Sequence, residues 1–201
     1  YNSNGQPILS NDDWATAANA ADIQAHPAGP RYALEAAILT ILNPGTYTAI
    51  VRGAGSTTGN ALVEVYDLDA SNTSTRLVNI STRGWVGTGD SVMIGGFIIS
   101  GGAAKKVLIT AKGLALADAN VPSVLGDPNL TLYNASGQSI LSNDNWATAA
   151  NAVEIQAHPA GPRYAQEAAI LTTLNPGAYT AIVRGAGATT GNALVEVYEV
   201  Q

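Results

Sequence analysis

Internal repetition constrains this chain more than any other feature. YNSNGQPILSNDDWATAANAADIQAHPAGPRY starts at Tyr1, and YNASGQSILSNDNWATAANAVEIQAHPAGPRY starts at Tyr133. The alignment runs without a gap to the C-terminus, and 56 of 69 positions match between 1–69 and 133–201. Segment 70–132 has no second copy, so the chain is one full period plus about half of another. Each chain thus has one middle segment and two copies that need it. The substitutions between copies are mild, such as Asp22/Glu154, Asp67/Glu199, Ala21/Val153 and Asp13/Asn145. Leu34/Gln166 and Ile41/Thr173 exchange apolar for polar residues, which places those positions facing solvent or a neighbouring subunit.

The unit reads as strands. Residues 91–100 (SVMIGGFIIS) and 105–113 (KKVLITAKG) are β-branched runs joined through a Gly-Gly-containing turn. Residues 129–134 (NLTLYN) alternate and then turn at Ser136-Gly137. Residues 167–174 run into Asn175-Pro176-Gly177, where Pro fixes φ and Gly supplies φ > 0. AYTAIVRG (178–185) and ALVEVYEV (193–200) follow, with Tyr179, Ala181 and Val183 on one face and Thr180 and Arg184 on the other. Short strands with turns at this spacing predict an all-β fold, an antiparallel β-sandwich of the jelly-roll or Ig-like kind. The Ala-rich stretch 146–156 (WATAANAVEIQ) predicts a short helix of about 10 residues that covers one end of the sandwich, anchored by Trp146, with Trp14 as its counterpart. The expected domains are 1–69, an incomplete sandwich repeat, and 70–201, a complete one formed by 70–132 and 133–201.

Composition narrows the function. The net charge is −6, and lysine occurs only at 105, 106 and 112. Nucleic-acid binding rests on clustered Lys and Arg, so no nucleic-acid partner is expected. No apolar run reaches about 18 residues, so no membrane insertion is expected. No charged n-region precedes an apolar h-region either, so an exported form would be mature or a fragment. Cysteine is absent, which excludes disulfides, thiolate zinc sites and cysteine nucleophiles.

Candidate chemistry is sparse. His26 and His158 recur in AHPAGPRY without a nucleophile motif beside them, and read as locally bonded loop histidines. The oxygen-rich loops around Asp12, Asp13 and Asp144, with Asp127 and Glu167 as further ligands, are candidate calcium positions. Asx residues also serve as ordinary turn and cap residues. No other cofactor is expected. Arg31/Glu35 and Arg163/Glu167 recur at a spacing of four, which predicts a carboxylate–guanidinium pair. Gly84, Gly87 and Gly89 fit no phosphate-binding pattern and read as turns. Trp85 is the one tryptophan outside the copies and the candidate aromatic for a glycan or surface partner. N-x-[ST] sequons stand at Asn72, Asn79, Asn129 and Asn134.

LTLYNASGQSILSNDNW, AAILTTLNPGAYTAIVRG and ALVEVYEV together resemble the bacterial pre-peptidase C-terminal (PPC-like) domain. With RLVNISTRGWVGTGDSVMIGGFIISGG ahead of them, the unit resembles tandem repeats of large secreted or cell-surface bacterial proteins. The resemblance covers about 76–200 as a full unit and 1–69 as a partial one. It implies a β-sandwich, export and a non-catalytic accessory or surface role, and it names no ligand. On this reading copy 1–69 starts inside a strand at Tyr1 and lacks the partners of its own strands, leaving an apolar face and open strand edges. The leading expectation is therefore an extracellular structural protein that is not an enzyme. It would pair with copies of itself into a filament or surface array by strand complementation, with Tyr1, Asn2, Val197, Tyr198 and Val200 as the candidate interface. The alternative is a non-catalytic module of a larger secreted enzyme that binds carbohydrate or protein.

Overall fold

The computed structural model describes residues 1–69 and 74–200. The chain divides into two units, Tyr1–Arg76 and Leu77–Gln201. Eight strands lie in the second: β1 (Asn79–Val86), β2 (Met93–Ile99), β3 (Lys105–Lys112), β4 (Pro128–Asn134), β5 (Ser139–Asn143), β6 (Ala168–Leu174), β7 (Gly177–Gly185) and β8 (Gly191–Val200). Three short helices are α1 (Ala20–Ala25), α2 (Leu114–Ala117) and α3 (Ala152–Ala157).

The second unit is an all-β sandwich. One sheet has the order β1-β8-β3-β6 and the other β2-β7-β4-β5, with every neighbouring pair antiparallel. The middle segment supplies β1 to β3 and most of β4, while the second copy supplies β5 to β8. Strands from the two sources interleave, so neither source makes a sheet alone. β2 and β3 follow one another in sequence but lie in opposite sheets. The Gly-Gly stretch between them therefore crosses from sheet to sheet and does not close a hairpin.

Val107, Ile109 and Ala111 of β3, Ala168 and Ile170 of β6, and Val183 and Val195 point into the space between the sheets. The alternate residues Leu108, Ala169 and Leu171 point outward and meet Trp146 and Ile155. β3 is thus buried on both faces, which is why its sequence reads as a continuous apolar run and not an alternating one. The Ala-rich stretch forms a 3₁₀ turn at Trp146–Thr148 and the six-residue α3. It covers the outer face of one sheet, not the end of the sandwich as the sequence suggested, and it is shorter than expected. The hairpin from β4 to β5 turns on Gly137 at φ +71, and the Asn134 Oδ1 accepts the N–H groups of Ser136 and Gln138 at 3.1 and 3.0 Å.

The first unit holds no strand among its described residues, although its sequence nearly repeats β5 to β8. Its local bonding is nonetheless that of the second copy. Trp14 N–H donates to the Glu35 carbonyl at 2.9 Å, as Trp146 does to Glu167. The Trp14 indole N–H reaches the Tyr32 carbonyl at 3.0 Å, and that of Trp146 reaches Tyr164 at 2.9 Å. The Asn19 amide donates to the Leu39 carbonyl at 2.9 Å, and Asn151 donates to Leu171 at 2.8 Å. Gly55 and Gly187 share φ near 60 and ψ 28. The half-unit therefore keeps the backbone course of its twin without the partner strands that would make it a sheet.

Candidate functional site

Among the described residues no catalytic constellation emerges. What stands out is the difference in burial between two nearly identical sequences. Ile38, Leu42, Val51 and Val63 are 55%, 48%, 57% and 45% exposed, whereas their counterparts Ile170, Leu174, Val183 and Val195 are 6%, 6%, 0% and 3% exposed. Ile50, Leu62, Val65, Tyr66 and Leu68 are exposed as well. Covering a side chain that is half exposed is worth about 1 kcal/mol, so the four residues alone represent about 4 kcal/mol of unrealised burial.

Twelve of the thirteen differences between the copies fall at described positions of the second copy, and none of these is buried there. Trp146, Ile155, Glu167, Ala169, Ile170, Leu171, Ala181, Val183, Ala193, Val195 and Glu196 all recur unchanged in 1–69. Leu34 and Ile41, the two apolar exchanges, are exposed, as are Gln166 and Thr173.

Two buried carboxylates fasten the middle segment to the second copy. Glu196 is 8% exposed. Its Oε2 lies 2.7 Å from Lys112 Nζ and accepts Thr110 Oγ1 at 3.1 Å, and its Oε1 accepts the Tyr198 hydroxyl at 2.7 Å. Burial, together with the Glu196 hydrogen bond, raises the Tyr198 phenol well above its ordinary value. Glu167 is fully buried and accepts backbone N–H groups, from Gly113 and Ala115 on Oε1 at 3.2 and 2.8 Å and from Arg163 and Tyr164 on Oε2 at 3.3 and 3.5 Å. The expected guanidinium pair is corrected by this geometry. The backbone N–H of Arg163 makes the link, and its guanidinium lies 4.0 Å from Asp118. A buried carboxylate bound by four N–H donors is a fastening for the α2 loop, and it leaves Glu167 committed as an acceptor. In the first unit, Glu35 Oε2 takes the Arg31 and Tyr32 N–H groups at 2.9 and 3.0 Å, and the Glu64 Oε1 takes the Tyr66 hydroxyl at 2.8 Å.

The remaining sequence candidates disperse. Burial first and the Asp144 charge second raise the Asp127 carboxyl above its ordinary value. Asp127 Oδ1 is buried without a hydrogen-bond partner, and Asp144 Oδ1 accepts from the Asn129 amide at 3.4 Å. Asp12 is exposed, and Asp13 precedes a 3₁₀ turn. No group of three or more His, Asp or Glu able to hold a metal occurs among the described residues. Trp85 is 56% exposed on β1, at the edge of its sheet. Tyr1 exchanges two hydrogen bonds with Thr48, at 3.0 and 3.1 Å, and the Asn2 Oδ1 accepts the N–H groups of Asn4 and Gln6. Val197, Tyr198 and Val200 lie on β8, which has β1 on one side and β3 on the other, so in the second unit they present no open strand edge. The Nδ1 atoms of His26 and His158 accept the N–H of Ala28 and Ala160, both at 3.1 Å. Of the sequons, Asn79, Asn129 and Asn134 are on strands, and Asn72 lies outside the described residues.

Sequence reasoning missed the two buried carboxylates as fastenings. The available signal was the conservation of type between copies, Glu35/Glu167 and Glu64/Glu196, in segments that are otherwise apolar.

No helix among the described residues is long and apolar enough to cross a membrane. No family model matches the chain, and no curated protein matches it. Among solved structures it is similar to the pre-peptidase C-terminal domain of a collagenase from Bacillus anthracis, at 13% sequence identity and a TM-score of 0.38, over 60% of this chain and 89% of that one.

Proposed function

We propose that this chain is a non-catalytic structural repeat protein working outside the cell, as the subunit of a filament or surface array whose subunits complete one another's sandwiches. The observation that supports this reading is the half-unit 1–69. It keeps every residue that the described part of the second copy buries and holds the same local bonding, yet it buries only Ile23 among them and leaves most of the rest exposed. An exposed apolar surface whose backbone keeps the course of its twin without being paired favours strand addition. A chain that gives its middle strands to a neighbour opens its own second copy, which can accept strands in turn.

The test uses the full chain. Sedimentation and electron microscopy over a rising concentration series should give elongated particles that grow with concentration. A chain that remains monomeric at hundreds of micromolar overturns the reading. Trp85, exposed at a sheet edge, favours a second reading as a glycan- or protein-binding module. That reading requires saturable binding to a glycan panel that Trp85→Ala abolishes, on a monomeric protein.

A further inference from the structure

We infer that β2 is a self-association edge, on which the β2 strand of a second copy of this chain pairs antiparallel about a two-fold axis at Gly96. The contact lies wholly within unit Leu77–Gln201 of each chain and needs no exchange of strands.

The two sheets of this unit have four edge strands, β1 and β6 in one and β2 and β5 in the other. An open edge offers N–H and C=O groups to any other chain, and folded proteins blunt it with charge, bulges, short length or cover. Three of these edges are blunted. On β6, side chains occupy the backbone: the Ala169 N–H donates to Asn143 Oδ1 at 2.9 Å, and the Leu171 carbonyl accepts from Asn151 Nδ2 at 2.8 Å. β5 has only five residues, and its pairing register breaks between Leu132 and Tyr133 of β4. β1 carries the Arg83 charge near its middle. β2 has none of these devices. Its seven residues, MIGGFII, include no charge, proline or bulge, and no described side chain of the unit hydrogen-bonds its backbone.

Charge and register select a second copy as the occupant. The chain carries a net charge of −6, so two copies approach most readily where neither is charged. β2 against β2 is such a meeting. The strand runs Met93–Ile99, so pairing about Gly96 matches all seven residues, and every other centre matches fewer. That register sets Ile94 opposite the partner's Ile98, and Gly95 opposite the partner's Phe97. Ile94, Gly96 and Ile98 face outward, and the two isoleucines are 56% and 73% exposed. Opposed residues share a face, so each isoleucine covers one of the other copy. On the inner face Phe97, stacked on Tyr179 at 5.5 Å, closes over the partner's Gly95. A glycine beside an aromatic ring across the pair favours strand pairing. Gly95 itself has little room for a side chain, because a Cβ there would lie 3.2 Å from Val195 Cγ1. Two four-stranded sheets thus become one continuous sheet of ordinary size, closed by the two-fold.

The absence of cysteine gives a test specific for this register. A Cβ on Gly96 meets no atom closer than the Tyr179 carbonyl oxygen at 4.0 Å, so the position accepts a side chain. In the full chain, Gly96→Cys should oxidise to a disulfide dimer, because residues opposed at the axis stand about 4.5–5.5 Å apart. Ile94→Cys and Ile98→Cys, each alone, should stay unlinked, since each lies about 14 Å from its own counterpart, whereas the two together should link. The readout is a non-reducing gel after mild oxidation at tens of micromolar, with circular dichroism to confirm that each variant folds. Ile94→Lys/Ile98→Lys sets like charges opposite one another and should weaken dimerisation in sedimentation by about tenfold, and Ile94→Lys/Ile98→Glu should restore it. Equal linking at 94, 96 and 98 overturns the two-fold register. No link at 96 in a folded chain overturns the edge pairing, whether the edge stays open or another protein or segment takes it. Closed dimers linked at 96, without elongated particles, keep the edge pairing and overturn the filament. Elongated particles without a 96–96 link do the reverse.

Discussion

The Lys112–Glu196 contact offers the sharpest measure of how the middle segment is held. The side chains of Lys112 and Glu196 are 14% and 10% exposed. Lys112→Met keeps the length and apolar stem of the side chain and removes the charge. It leaves Glu196 buried, with only the Thr110 and Tyr198 hydroxyls as donors. Removing one partner of a buried ion pair costs about 3–5 kcal/mol, because the other charge stays desolvated. The two hydroxyl bonds and the residual exposure reduce this to about 2–3 kcal/mol. Unit Leu77–Gln201 is large enough that each kcal/mol shifts melting by about 4 °C, so Tm should fall by about 10 °C. Thermal melting followed by far-ultraviolet circular dichroism, with urea unfolding as a second probe, measures this directly. The double variant Lys112→Met/Glu196→Met, which leaves no buried charge, should recover much of the loss. A drop in the single variant below about 2 °C would refute the reasoning, because the contact would then behave as a solvent-screened surface pair.

Three further outcomes follow from the same geometry. Glu196→Gln keeps the shape of the side chain and removes the charge that faces Lys112, which should cost about 2 kcal/mol and lower Tm by about 8 °C; an unchanged Tm would show that the pair does not hold the middle segment. The Tyr198 phenol is raised in the folded chain, while the unfolded phenol ionises at its ordinary 10.0. Stability should therefore be constant below that pH and decline above it, and Tyr198→Phe should flatten the decline in alkaline melting curves. Asp127 is likewise raised in the folded state, by burial and then by Asp144, from an ordinary 3.8. Its ionisation penalises folding above that range and not below it, so Asp127→Asn should melt higher than the parent at pH 7, with the advantage vanishing below about pH 4; a lower Tm at pH 7 would show that the charge is compensated.

Much of the sandwich was legible because local pattern and tertiary role agreed. β7 alternates as AYTAIVRG, with Ala181 and Val183 inward and Arg184 outward, and the turn at Asn175-Pro176-Gly177 is encoded by residues with fixed backbone preferences. Pairing was not legible. Nothing in SVMIGGFIIS and KKVLITAKG says that they enter opposite sheets, since strand neighbours are chosen by contacts distant in sequence. β3 concealed its environment for a related reason: an outer layer of Trp146 and Ile155 removes the alternation that would mark an exposed face. The buried acids were hidden because Glu167 and Glu196 look like surface residues until the N–H groups and the lysine that satisfy them are placed in space.

The two copies separate what a strand owes to its own sequence from what it owes to its neighbours. Residues 59–68 and 191–200 differ only at 67 and 68 against 199 and 200, yet only the second forms a ladder. The shared part of that difference lies outside the segment, in β1 and β3, which flank β8 on both sides. Propensity is equal in the two cases, so the strand is a property of pairing, and the half-unit is a strand-ready surface. Its internal bonds, from Trp14 to Glu35 and from Asn19 to Leu39, hold the backbone on the course that pairing requires. Part of the ordering entropy of complementation is therefore already spent before a partner arrives. An acceptor held in this way gains mainly from burial when it is filled, and the residues that would be buried are those the chain has kept identical.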